Sequence, residues 1–152
     1  MTVGRREAEI REFYDRWKAS VFRFCVLFLG DEERASEATG KAFLRYMREA
    51  PDAASDQLPR GLVGFALEAA REWCASPADL ARSDGSSLRE AILRLPCEQR
   101  AVFLLRNVLG MDRQAVSEVT GLTTRRISEL WLKSMLALRE QLPRDFFKEQ
   151  KQ

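Results

Sequence analysis

The sequence predicts an all-α chain: two small helical domains joined by a flexible linker. Apolar residues recur at three- and four-residue spacings through most of the 152 residues, and no stretch alternates convincingly with period two. A Ser-, Asp-, Pro- and Gly-rich stretch, SPADLARSDGSS at 76–87, separates two such periodic regions. The composition, 45% hydrophobic and 32% charged, is that of a globular chain with enough length for one ordinary domain or two small ones.

The N-terminal domain, 1–75, is predicted to hold three helices. The first runs from Arg5 to Leu29, with Ile10, Phe13, Trp17, Val21, Phe24 and Phe28 forming a broad apolar stripe and Tyr14, Phe22 and Cys25 beside it. These aromatics at helical spacing are core rather than a base-stacking platform. Gly30 closes the helix, and Asp31 caps the next, about Glu32 to Glu49. There Ala35, Ala38 or Thr39, Ala42, Phe43 and Tyr46 or Met47 turn inward, and Pro51 is the stop. After a polar loop at 51–59, a third helix spans about Arg60 to Ala75, with Leu62, Phe65, Ala66, Ala69 and Trp73 on its core side.

The C-terminal domain, 88–142, is predicted to hold four helices, followed by a fraying tail at 143–152 in which Phe146 and Phe147 stand out. Leu88 to Leu95 is short. Pro96 starts a second helix over 97–109, and Gly110 ends it. Asp112 caps the third helix, Gly121 makes a turn, and Thr123 caps a fourth that continues to about Leu142. A short amphipathic helix, a glycine turn and a longer helix with a polar start form a helix-turn-helix, an element that commonly presents its second helix to the DNA major groove. On that helix Ile127, Leu130 or Trp131, Ser134 and Leu138 face the core. The candidate DNA-facing set is then Thr123, Thr124, Arg125, Arg126, Ser128, Glu129 and Lys133, with Leu132 beside them. Arg125 and Arg126 are the side chains able to pair with base edges or hold phosphate. Glu129 repels phosphate unless it accepts from a cytosine.

Charge is distributed unevenly. Residues 88–152 carry 12 basic and 8 acidic groups, whereas 1–75 carry 12 and 13. Nucleic acid, if bound, is therefore expected at the C-terminal part. Arg89, Arg94, Arg100, Arg106 and Arg113 read as a solvated face among acidic neighbours, or else as phosphate contacts. The chain has no histidine and three widely spaced cysteines, Cys25, Cys74 and Cys97. That composition excludes Ser-His and Cys-His catalysis, zinc fingers and haem ligation by histidine within this chain. Each cysteine reads as a small buried hydrophobe in a reducing, cytoplasmic setting. No phosphate-binding glycine loop or placed carboxylate pair is present. No catalytic residue, metal site, cofactor or membrane partner is expected.

The chain resembles a bacterial sigma factor of the extracytoplasmic-function (ECF) group of the sigma-70 family. One part of the resemblance lies in FYDRWKASVFRFCVLFLGDEERASEATGKAFLRYM followed by RGLVGFALEAAREW, which looks like region 2. The more specific part looks like region 4: the LP-x-x-QR start at Leu95–Arg100, the LLR at Leu104–Arg106, the Gly110 turn and the E-V-x-G-L turn at Glu118–Leu122. The resemblance implies that region 2 docks on core RNA polymerase, with Glu37, Lys41 and Arg45 at the docking helix, and opens promoter DNA near the start site. It implies that region 4 reads the upstream promoter element, and that an anti-sigma factor is a partner. The sequence departs from the family pattern at several working positions. Gly40 and Lys41 stand where a Gln-acidic pair is usual, Gly61 where Trp is usual, and Leu67-Glu68 where Arg-Asn is usual. Ser128, Leu130 and Met135 occupy commonly basic positions of the reading helix. Two functions are thus expected: an ECF-type sigma factor-like regulator, or a sigma-like protein-binding module that has lost promoter recognition and serves as mimic or adaptor for an anti-sigma factor or polymerase.

Overall fold

The computed structural model describes residues 3–49, 57–74 and 87–141. Within them lie seven helices: α1 (Val3–Leu29), α2 (Glu32–Glu49), α3 (Arg60–Arg71), α4 (Leu88–Arg94), α5 (Cys97–Asn107), α6 (Arg113–Thr120) and α7 (Thr124–Gln141). The expected stop at Pro51, almost all of the linker 76–87 and the tail 143–152 lie outside the described residues.

Helices α1, α2 and α3 pack on one another through the predicted stripe. Phe13, Val21, Phe24, Cys25 and Phe28 are buried against Ala35, Ala38, Ala42, Phe43 and Tyr46. The Phe13 ring stacks on Tyr46 at 5.5 Å and meets Phe43 edge-on at 5.9 Å. Asp31 caps α2 as expected, its carboxylate accepting from the Glu33 amide at 2.9 Å.

Helix α3 is rotated from its expected face. Leu62, Val63, Ala66, Leu67 and Ala70 are buried, while Phe65, Ala69 and Trp73 are only half-buried. The two aromatics lie under cations of α2: Arg45 sits 4.3 Å from the Phe65 ring and Lys41 4.9 Å from that of Trp73. Leu67, at a position usually basic in the family resembled, therefore serves the core.

The sequence predicts two small helical domains joined by a flexible linker; in the structure, helices of the two halves pack against each other. Helix α1 lies against α4 and α5, and α3 lies against α6. One cluster of buried apolar residues runs through both halves. Gly30 suits this junction because its φ of 74° is left-handed; a Cβ on it would also come within 2.7 Å of a Leu93 methyl in the other half, which would have to shift.

Arg100 ties the halves together and is not part of a solvated face. Only 1% exposed, it donates from Nη1 to the Phe28 carbonyl at 2.8 Å and from Nη2 to those of Leu93 at 2.5 Å and Leu95 at 2.9 Å. Phe28 and Leu93 lie in the last turns of α1 and α4, where carbonyls lack intrahelical partners. Burial pushes the guanidinium down to about 10, so it stays cationic at neutral pH. A surface ion pair, Arg60–Glu118, adds to the α3–α6 contact and holds the Glu118 carboxyl below the usual range.

Of the cysteines, only Cys25 matches its expectation. It is buried and free. Cys74 and Cys97 are half-buried, and their sulfurs lie within bonding distance of each other. Burial pushes the Cys25 thiol up to about 11, from an ordinary value of 9.0. The unfolded chain therefore releases this proton first, and stability should fall as pH climbs from about 9 to about 11, by at most about 2–3 kcal/mol from this group. Denaturant titrations at several alkaline pH values should show a shallower decline in Cys25→Ala than in the parent chain. Equal slopes would remove this assignment.

Candidate nucleic-acid interface

The element α6–turn–α7 is built by local hydrogen bonds that its residues dictate. The Asp112 carboxylate accepts from the Ala115 amide at 2.8 Å, capping α6. Gly121 terminates α6 with a φ of 80°, in the left-handed region open to glycine, and its amide reaches the Ser117 carbonyl at 2.8 Å. Ser117 Oγ donates to the Leu122 carbonyl at 2.6 Å, and the Leu122 amide donates to Thr120 Oγ1 at 3.2 Å, so the turn is tied from both sides. Thr123 accepts from the Arg126 amide at 3.1 Å and starts α7. Thr123 therefore acts first as the cap that aims α7.

The inner face of α7 is the expected one. Ile127, Leu130, Ser134 and Leu138 are buried, and Trp131 is half-buried. The Ser134 hydroxyl lies 2.8 Å from the Leu130 carbonyl and 3.2 Å from that of Gln99, which places α7 against α5. Leu130, another position where the family pattern is commonly basic, is thus a core residue, and a charge there would have to be desolvated.

On the outer face, Thr124, Arg125, Glu129 and Lys133 are exposed, while Arg126 and Ser128 are half-buried. Arg125 stands out at 91% side-chain exposure, with Glu129 3.6 Å away one turn later. Arg126 lies between Glu98 at 3.8 Å and Glu129 at 3.6 Å. One carboxylate therefore offsets both arginines best placed to meet DNA. Glu129→Gln should tighten DNA binding by about two- to fivefold, since exposed pairs of this kind are worth up to roughly 1 kcal/mol. Titrating labelled duplexes at fixed salt measures this. Weaker binding by the glutamine variant would mean that Glu129 itself contacts a base.

Arg113 is exposed, in keeping with a solvated face, and Arg106 is half-buried; both flank α7. Arg113 donates to Ser128 Oγ at 3.2 Å, and the Arg106 guanidinium lies 5.7 Å from the Trp131 ring. The Trp131 indole N–H donates to Asn107 Oδ1 at 3.2 Å. Arg106, Arg113, Ser128, Trp131 and Leu132 line a cleft of about 360 Å³ that extends the basic rim of the reading helix toward α5 and α6. The α6-to-α7 spacing of the helix-turn-helix was the available signal for Arg113.

The expected docking residues lie on α2. Glu37 and Lys41 are exposed, and Arg45 is engaged within the chain, with Glu49 at 2.6 Å and Glu68 at 2.7 Å. Missed in the sequence was Leu44, 73% exposed on the same side of α2 as Glu37 and Lys41. It borders an apolar groove of about 520 Å³ between α1 and α2, lined also by Ile10, Tyr14, Gly40, Phe43 and Met47.

These features define a helix-turn-helix whose first reading turn is solvent-facing. Residues 86–128 match the family model for sigma-70, region 4, a segment spanning α4, α5, α6 and the start of α7. The match takes in Thr123, Thr124, Arg125, Arg126 and Ser128 and does not extend to α2. No curated protein matches the chain.

Proposed function

We propose that this chain is an ECF-type sigma factor-like transcription regulator, without catalytic chemistry, cofactor or membrane partner, acting in the cytoplasm. It binds core RNA polymerase and directs initiation at promoters whose upstream element α7 meets. The carrying observation is that the region 4 match coincides with a helix-turn-helix capped at both ends of α6 and at the start of α7, the outer start of whose second helix is exposed. In this reading 88–142 is the DNA-facing unit, with Thr123, Thr124, Arg125, Arg126, Ser128, Glu129 and Lys133 at the groove. The unit 1–75 faces polymerase through Glu37, Lys41 and Arg45, with Leu44 as the apolar anchor, and 76–87 is the linker. An anti-sigma factor would compete for the same α2 surface.

A second reading is favoured by the pairing of charges. Arg125 and Arg126 share Glu129, Lys41 faces Trp73, and Arg45 is held by two glutamates. A sigma-like protein-binding module, mimic or adaptor, would keep the α1–α2 groove and dispense with DNA. Titration of the protein with purified core polymerase, and separately with promoter-length duplexes, separates the two. The sigma reading predicts binding to both, with the polymerase arm lost in Leu44→Asp. The module reading predicts no binding to duplexes, with polymerase or an anti-sigma factor as the protein partner. Binding to neither polymerase nor duplexes removes the sigma reading.

A further inference from the structure

We propose that Cys74 and Cys97 form a reversible oxidative latch that locks the N-terminal helices to the C-terminal ones. Their Cα atoms are 6.4 Å apart, a separation a disulfide spans without backbone movement, and they lie 23 residues apart in sequence. Cys74 follows α3, and Cys97 is the first residue of α5, so the bond crosses the interface between the halves. Both are half-buried and therefore within reach of a small oxidant, whereas Cys25 is buried.

The second observation is Arg100. Its Nη1 lies 3.3 Å from Cys74 Sγ, and the same guanidinium holds the Phe28, Leu93 and Leu95 carbonyls on both sides of the interface. That contact sets a guanidinium beside the Cys74 sulfur, which assigns Cys74 as the attacking sulfur. With hydrogen peroxide as oxidant, the Cys74 thiolate attacks one peroxide oxygen. The S–O bond forms, the O–O bond breaks, and the leaving oxygen departs as water after protonation. Cys97 then attacks the Cys74 sulfenic acid. The S–S bond forms, the S–O bond breaks and a second water leaves, so two thiols have given two electrons to the peroxide. A dithiol reverses the step by exchange, taking up the disulfide electron deficit as its own disulfide.

The latched chain keeps α1 on α4 and α5, and α3 on α6. A factor that touches polymerase near the start site with one half and an upstream element with the other must separate those halves. Oxidation would therefore hold it inactive, a consequence that rests on the function proposed above.

The test uses the full chain, treated with hydrogen peroxide or with dithiothreitol. Peptide mapping without reductant should join the Cys74 and Cys97 peptides after peroxide, with Cys25 unmodified. Amide exchange across Phe24–Leu29 and Leu93–Leu105 should slow on the order of tenfold or more on oxidation. Cys97→Ser should show no such change, and Cys25→Ser should respond as the parent does. Absence of the linked peptide, or a link with unchanged exchange, would overturn the latch. Core polymerase binding, run in parallel, reports on the functional reading. If the reduced chain fails to bind while linkage and exchange behave as expected, that reading falls and the latch stands.

Discussion

Arg100→Ala should lower the free energy of unfolding by on the order of 3–5 kcal/mol, a large part of the stability of a small domain. Three carbonyls, those of Phe28, Leu93 and Leu95, would lose their donor inside the protein, and the truncated side chain would leave a void beside Phe28. The carbonyls belong to both halves, so the loss should be shared: the helices at the C-terminal end of α1 and those around α4 should become less protected together. Arg100→Lys should recover only part of the loss, because one ammonium cannot reproduce the planar fork that reaches three acceptors. Arg100→Met, which keeps much of the volume and removes the buried charge, should fall between alanine and the parent. Urea titrations of the four proteins measure the series. A change below about 1 kcal/mol for alanine would show that the interface does not depend on this residue.

The second large effect is expected at the start of α7. Arg125→Ala should weaken promoter binding by about 1–3 kcal/mol if its guanidinium reaches a base edge, and by less, with a shallower salt dependence, if it holds phosphate. Arg126→Ala should cost less than Arg125→Ala. Arg126 begins between two carboxylates, Glu98 and Glu129, and must give up both contacts on binding, whereas Arg125 is 91% exposed and pairs with Glu129 alone among these. Binding titrations at several salt concentrations order the two. Unchanged binding in both variants would remove the groove assignment for α7.

Much of the framework was legible because single residues punctuate it. Gly30, Asp31, Pro96, Asp112, Gly121 and Thr123 each have one strong local use, and the helices begin and end beside them. The inner face of α7 was legible because Ile127, Ser134 and Leu138 fall on one side at helical spacing. Helix α3 was less so. Its sequence RGLVGFALEAAR is apolar on more than one side, and the largest rings were taken for its core. Smaller Val63, Leu67 and Ala70 fill that place, and Phe65 and Trp73 serve as platforms for Arg45 and Lys41. The interface between halves was not legible. It depends on an arginine drawn inward by carbonyls distant in sequence, on a glycine that admits Leu93, and on two cysteines brought together by folding. Periodicity reports which face of a helix is apolar, but not which other helix covers it.

The unusual working surface also divides into two kinds of change. Leu67 and Leu130 are core residues, so their apolar character follows from packing. Lys41 and Glu129 are exposed and Gly40 is half-buried, and under the proposed function their identities bear on partners. Leu44 and the groove beside it leave an apolar surface for protein even where charges are paired within the chain.

The most direct measurement is reconstituted transcription with core polymerase, this protein and fragmented genomic DNA, with RNA 5′ ends mapped. The account predicts initiation at a limited set of sites sharing an upstream element, dependent on the protein, reduced by Arg125→Ala and abolished by Leu44→Asp. Polymerase binding with no protein-dependent start sites would contradict promoter-directed initiation and leave the protein-binding module as the function.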